Sequence, residues 1–176
     1  LELSTSGGLQ VDLTSKVGAL FGDSIHELAK EILVHFKVKH ARLQIEDKGA
    51  LPFVLAARIE AAIKGAIDSD KEYWPELIAQ NRYQTAANRY RRSRLYLPGN
   101  TPKLMLNAGV HQPDGIILDL EDSVAPAKKD EALLLVRNAL RQVDFYGAER
   151  MVRINQGARG LDDLQFVVPH NPNLIL

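Results

Sequence analysis

The sequence predicts a small α+β module followed by an α/β domain built on parallel strands. Three observations carry this. Residues 1–67 read strand, helix, strand, helix, in a span that suits one compact module. Residues 68–94 lose that periodicity and are polar and arginine-rich. From Leu95 onward strands and helices alternate, the pattern of parallel βα units.

The elements follow in chain order. "GLQVDLTS" alternates apolar and polar residues and reads as a strand. Val17, Leu20, Phe21, Ile25, Leu28, Ile32, Leu33 and Phe36 then recur at helical spacing. Gly22 interrupts them, so the expectation is one short turn of helix and then a longer helix. Ser24 and Glu27 form a capping-box pattern at that second start. "ARLQIED" alternates again, with Leu43 and Ile45 on one face, and "KGAL" is a turn. "LPFVLAARIEAAIKGAI" is a helix that tolerates Pro52 in its first turn. Residues 68–94 are expected to be a linker with a short helix or two. Its end, "RYRRSR", has the basic-plus-aromatic look of a nucleic-acid patch. With 22 basic and 22 acidic side chains in the chain, a solvated linker end is the better reading.

In the second part, strands are expected at about 95–97, 116–120, 151–155 and 174–176. Helices are expected after Pro98-Gly99-Asn100, over "KDEALLLVRNALRQV" and over "DDLQFVV". The unbroken run Ile116-Ile117-Leu118 suits a parallel strand buried on both faces.

Composition narrows the function. The chain has 176 residues and is 45% hydrophobic, enough for a real core. Zero net charge gives no field to draw nucleic acid or an anionic membrane. Without cysteine there are no disulfides, thiolate metal sites or cysteine nucleophiles. No apolar run reaches membrane-spanning length and no signal peptide is visible, so a soluble cytoplasmic protein is expected. "HELAKEILVH" imitates a zinc-protease helix but has Lys30 where the second histidine belongs. No Gly-rich phosphate loop and no Ser-His-Asp order appears.

Chemistry in parallel α/β folds gathers where strands end. Three successive strand ends here are polar: Pro98-Gly99-Asn100, then Asp119, Glu121 and Asp122, then Arg153 and Asn155. That recurrence points to a site. The alternative for Glu121 and Asp122 is capping of the next helix. For Arg153 it is a structural ion pair with a neighbouring acid.

At these residues a resemblance appears. "RRSRLYLPGNTPKLMLNA", "GIILDLEDSVAPAKKDEA" and "RMVRIN" resemble the beta subunit of citrate lyase and its relatives, the malyl-CoA and citramalyl-CoA lyases. Several separate blocks occur in order, which makes the match specific. One departure is visible: the family often has Lys-x-x-Ala-Arg where Lys129, Ala132 and Leu133 stand here. "SKVGALFGDSIHELAKEIL" and "EDKGALPFVLAARIEAAI" resemble the acyl carrier (gamma) subunit of citrate lyase, most tellingly at Asp47–Leu51 and Ala57–Ala61.

The resemblance implies a carrier module fused to a lyase domain of TIM-barrel type, of which residues 95–176 supply the first half. It implies a carbon–carbon lyase that cleaves a citryl thioester to oxaloacetate and an acetyl thioester, with the fragment inactive alone. A malyl-CoA or citramalyl-CoA lyase is the enzymatic alternative, and a non-catalytic carrier or assembly protein the other. Arg153, Glu121, Asp122 and Asp119 are the implied catalytic group. Arg92, Pro98, Gly99, Asn100 and Lys129 are the implied substrate-binding residues. Mg2+ and a CoA or phosphoribosyl-dephospho-CoA-type thioester carrier are the implied cofactors. The acidic metal ligands are expected on later barrel strands, so none is assigned in this chain. Expected partners are the thioester substrate and a homo-oligomer or citrate lyase-type complex. Family carriers attach their prosthetic group at a serine near their start, in a segment expected upstream of Leu1, so no attachment residue is assigned. Asp23-Ser24-Ile25 imitates the attachment motif of other acyl carriers, but the capping reading of Ser24 is preferred.

Overall fold

A computed structural model describes all residues, 1–176. The chain divides between Trp74 and Pro75 into two compact units.

Unit 1 carries three strands, β1 (Glu2–Ser4), β2 (Leu9–Ser15) and β3 (Ala41–Asp47), and two helices, α1 (Gly18–His35) and α2 (Pro52–Ala66). The sheet order is β1-β3-β2, with β2 parallel and β1 antiparallel to β3. Alternation works as expected on β3: Leu43 and Ile45 are buried and their neighbours exposed. They meet Ile32 and Leu33 of α1 and Ile59 and Ile63 of α2 in one core.

Gly22 does not divide the helix. α1 runs straight through it, and its buried stripe of Ile25, Ala29, Ile32 and Leu33 begins just beyond. A mid-helix glycine costs only ~1 kcal/mol, too little to break a helix that is anchored by burial in its later turns. Ser24 is therefore inside the helix and caps nothing; its hydroxyl donates back to Phe21 O at 2.9 Å. Val17 is the N-cap, and its N–H donates to Ser15 Oγ at 3.1 Å.

Asp47 organises the turn after β3. It accepts from Ser15 Oγ (2.6 Å), Gly49 N (3.0 Å) and Ala50 N (2.7 Å). Gly49 has φ +98°, a left-handed conformation that suits glycine. Burial alone would push the Asp47 carboxyl up. The hydrogen bonds from Ser15 and the Ala50, Gly49 and Lys48 amides outweigh it and hold the group below its ordinary value.

Unit 2 is a four-stranded sheet, β4 (Arg94–Pro98), β5 (Gly115–Asp119), β6 (Glu149–Arg153) and β7 (Leu174–Ile175), in that order and all parallel. Helices α3 (Pro102–Ala108), α4 (Lys129–Gln142) and α5 (Gly157–Val167) connect them. β5 is buried at all five positions, as its unbroken apolar run predicts. A small α+β unit followed by a partial α/β unit with a parallel sheet is the expected fold class, the second part corresponding to half of a TIM-barrel-like fold.

Residues 68–94 do not form a separate solvated linker. Residues up to Trp74 return to unit 1, where Tyr73 N donates to Glu60 (3.3 Å) and its hydroxyl to Glu31 (2.9 Å). Burial and the Glu31 carboxylate push the Tyr73 hydroxyl up to about 12. Residues 75–93 form a strap on unit 2 containing one 3-10 turn, Ala79–Asn81. Asn81 is fully buried and donates to Leu140 O (2.9 Å) and Val143 O (2.6 Å) at the end of α4. Arg150, a buried cation, donates to Asn81 O, to Tyr83 O (2.7 Å) and to Asn173 Oδ1 (3.0 Å), and lies over the Tyr83 ring at 4.2 Å. Desolvation pushes its guanidinium below its ordinary value. From the "RYRRSR" cluster, Arg91 pairs with the buried Glu149. These contacts sit at the amino ends of the strands, which leaves the carboxyl ends for other work.

Candidate functional site at the strand ends

Register sets the site. Pro98, Asp119 and Arg153 are partners across β4, β5 and β6, so three strands end in one row. The turn after β4 closes on β5: Gly99 N donates to Asp119 O at 2.8 Å. A Cβ on Gly99 would lie 2.8 Å from that oxygen and 3.0 Å from Val136 Cγ2, so the approach requires glycine.

Asp119 is buried, and its carboxylate accepts from Glu121 N (2.8 Å) and Ser123 N (3.3 Å). This folds the chain after β5 back over the strand end and points Glu121 and Asp122 at β6. There the Arg153 guanidinium meets all three acids: Asp119 at 3.5 Å, Asp122 at 2.6 Å and Glu121 in direct contact. The hydrogen bond to Asp122, with the charges of Asp119 and Glu121 behind it, raises the Arg153 guanidinium above its ordinary value. Asp122 is the exposed member, with 77% of its side chain accessible against 15% for Glu121.

Lys129, at the start of α4, reaches back under this cluster. Its ammonium donates to Leu120 O (2.9 Å), Glu121 O (2.7 Å) and Asn155 Oδ1. All three of its protons are engaged, so in this geometry it ties the β5 loop to the exit of β6. Asn155 is held in turn by the buried Asp163, which accepts from its N (3.0 Å) and Nδ2 (2.6 Å).

The structure thus brings Arg153, Asp119, Glu121 and Asp122 together, with Pro98, Gly99 and Asn100 on the neighbouring strand end and Lys129 beneath. It does not bring Arg92. That residue precedes β4, at the opposite end of the sheet, where its N–H donates to Asp114 Oδ2 (2.8 Å) and its guanidinium lies 5.0 Å from the Tyr90 ring centre. Asp163 and Ser123 are the contributors that sequence reasoning missed. Asp163 reads as a solvent-facing residue of "DDLQ", and only the fold buries it. Ser123, four residues beyond a strand-end aspartate, carries a recognisable turn signal.

The acids converge on a guanidinium, and no group of three or more His, Asp or Glu side chains is arranged to hold a metal ion. Asp119 has both oxygens committed to backbone amides and to Arg153. The residues present do not form an Mg2+ cage.

Comparison with known proteins separates the two units. The family described as malonate decarboxylase delta subunit (MdcD) matches residues 1–66, and the HpcH/HpaI aldolase/citrate lyase family matches residues 92–176. The citrate lyase subunit beta of Leuconostoc mesenteroides subsp. cremoris is 46% identical over 74 residues, covering 42% of this chain and 23% of that protein. The Escherichia coli K12 beta subunit is 37% identical over 87 residues, covering 48% and 29%. The citrate lyase acyl carrier protein of Vibrio cholerae serotype O1 is 36% identical over 77 residues, covering 44% of this chain and 79% of that protein. The chain therefore spans about a quarter of the beta subunits it matches and most of the carrier.

Proposed function

Since the chain belongs to the citrate lyase acyl carrier family through its first unit, and its second unit matches the HpcH/HpaI aldolase/citrate lyase family model, we propose that it joins the carrier and lyase functions of a citrate lyase-type complex in one polypeptide. The reaction is cleavage of a citryl thioester. Loss of the tertiary hydroxyl proton lets the oxygen electrons form a ketone. The adjacent carbon–carbon bond breaks, and its electron pair becomes the enolate of an acetyl thioester. Protonation of that carbon gives the acetyl thioester, and the ketone is oxaloacetate.

The observation that carries this reading is the Arg153 guanidinium held at a strand end by Asp119, Glu121 and Asp122. Three carboxylates against the Arg153 guanidinium and the Lys129 ammonium leave the cluster anionic, so it does not attract substrate carboxylates by net charge. Binding proceeds by exchange. A substrate carboxylate replaces the exposed Asp122 on Arg153 Nη2, while the less exposed Asp119 and Glu121 keep the guanidinium oriented. An arginine so fixed faces developing negative charge without reorganising. Lys129, Asn155 and Asp163 hold the loop and strand exit in register and act as positioning residues. Mg2+ and a CoA-type thioester carrier belong to this proposal, the metal supplying charge stabilisation at the substrate oxygens when bound. No step is assigned to it through the residues of this chain. A closed barrel uses eight strands and unit 2 has four, so turnover is expected only where a complete barrel surrounds this segment.

The test places residues 92–176 in the corresponding part of the Escherichia coli beta subunit and follows oxaloacetate release from a citryl thioester with Mg2+. The chimera should turn over, and the 176-residue chain alone should not. Arg153→Lys in the chimera keeps the charge but loses the planar fork. It should lower kcat about a hundredfold with the thermal midpoint unchanged. Near-normal kcat with a collapsed midpoint would make Arg153 a structural ion pair and remove it from the mechanism.

A further inference from the structure

Unit 1 contains an apolar cleft of about 310 Å3 between the first half of α1, the turn after β3 and the start of α2, open to solvent along a rim where Phe21 is 54% and Leu51 44% exposed. Its lining is apolar, with Phe21, Ile25 and Leu28 on one side and Ala50 and Leu55 on the other. No charged side chain contributes to it. The one side-chain polar atom is Ser24 Oγ, whose proton goes to Phe21 O, which leaves its lone pairs to accept. Both rims are fixed by the same carboxylate: Asp47 binds Ser15, beside Val17 at the start of α1, and the amides of Gly49 and Ala50. The cavity is a built feature of the carrier unit, and nothing in the lyase chemistry uses it.

We propose that this cavity shelters the acetyl end of a thioester cargo and excludes the citryl end, so that the charge of the cargo decides whether it is buried in the carrier or presented. The proposal rests on the carrier–lyase reading above and locates the cargo within it. Size supports it. The volume is about twice the ~150 Å3 dry cavity that admits benzene, room for about a dozen non-hydrogen atoms. An acetyl group, its sulfur, two methylenes and the following amide come to about ten on the same scale. The methyl, sulfur and methylenes match the apolar lining. The amide N–H, which burial would otherwise leave unsatisfied, finds an acceptor in Ser24 Oγ. A citryl thioester carries two carboxylates, and burying either without a cation is strongly unfavourable. Cleavage removes both with oxaloacetate. The cargo is thus a dianion before the reaction and neutral after it, and the apolar cleft favours the neutral form.

The test uses the 176-residue chain, 15N-labelled, and three small probes followed by amide chemical shifts. S-acetyl-N-acetylcysteamine should shift the amides of Leu28, Gly49 and Ala50 and saturate in the millimolar range. S-succinyl-N-acetylcysteamine, which adds one carboxylate, should bind at least about tenfold more weakly. Cyclohexanol, a plain apolar probe, should bind more weakly than the acetyl thioester. Ala50→Leu, which fills the cavity from its rim, should abolish the acetyl-probe shifts while the thermal midpoint stays level or rises. Ser24→Ala should weaken binding a few-fold. Equal binding of the acetyl and succinyl probes would overturn the proposal, as would cyclohexanol matching the acetyl thioester. So would a dimer, seen by sedimentation, that Ala50→Leu dissociates, because a second copy would then be the occupant. Failure of the chimera to turn over leaves these shifts unaffected, so the two readings fail separately.

Discussion

Replacing Asn81 by alanine should destabilise unit 2 far more than its place in a polar, arginine-rich stretch suggests. The side chain is fully buried, and its amide nitrogen donates to Leu140 O at 2.9 Å and Val143 O at 2.6 Å. Both carbonyls belong to the end of α4, where a helix has no donors of its own left to offer. Alanine keeps the backbone carbonyl that receives Arg150 and Asn171 but leaves those two acceptors facing no donor. Each buried unsatisfied carbonyl costs about 1–3 kcal/mol. Allowing for partial relaxation, the sum is about 2–4 kcal/mol. For a domain of about 100 residues that is a fall in the unfolding midpoint on the order of 10–20 °C. Asn81→Asp should be at least as damaging, because it sets a carboxylate against two carbonyls. Urea unfolding measures the free energy, and hydrogen exchange of peptides spanning 129–143 locates it. A loss under about 0.5 kcal/mol, the scale of ordinary surface substitutions, with unchanged exchange in α4 would refute the reasoning and restore residues 75–93 to the status of a solvated linker.

Two further outcomes follow from geometry described above. Gly99→Ala places a Cβ 2.8 Å from Asp119 O and 3.0 Å from Val136 Cγ2, so it should cost about 2–3 kcal/mol, read by urea unfolding; a change of a few tenths would show that the turn shifts freely. Asp47 has a folded-state pKa below its unfolded one, so its contribution is present above the unfolded value, near 4, and is lost as pH falls through the folded value. Asp47→Asn should therefore cost about 1–2 kcal/mol at pH 7, and its deficit relative to the parent should shrink as pH is lowered towards 2; a deficit independent of pH would sink the assignment.

The parts of the fold that were legible share one property: local pattern and tertiary burial agree. β5 reads as an unbroken apolar run because both its faces are covered, and β3 alternates because one face is. Gly22 misled because a glycine lowers helix propensity by only about 1 kcal/mol and does not by itself end a helix. The strap misled for the converse reason. Its polar side chains look solvated, yet Asn81, Thr85 and Arg91 are spent on helix-end carbonyls and Glu149. Within the candidate site, Asp119, Glu121, Asp122 and Arg153 were findable because strand ends are marked by a change from apolar to charged. Arg92, assigned from the resemblance, lies apart from the other site residues although it is close to Pro98 in sequence. Six residues of extended chain span about 20 Å, which puts it at the other end of the sheet.

The strap also sets an order of events during synthesis. Asn81 and Tyr83 leave the ribosome well before Arg150, which lies 69 residues beyond Asn81. At about 5–20 residues per second, the strap waits roughly 3–14 seconds for the strand that receives it. The strands and helices of unit 1 described above are all synthesised by Ala66 and need not wait. The nascent chain therefore carries a folded first unit followed by a tether of polar residues, and that polarity, which hides the strap from sequence reading, keeps the tether soluble until β6 arrives to close the long loop.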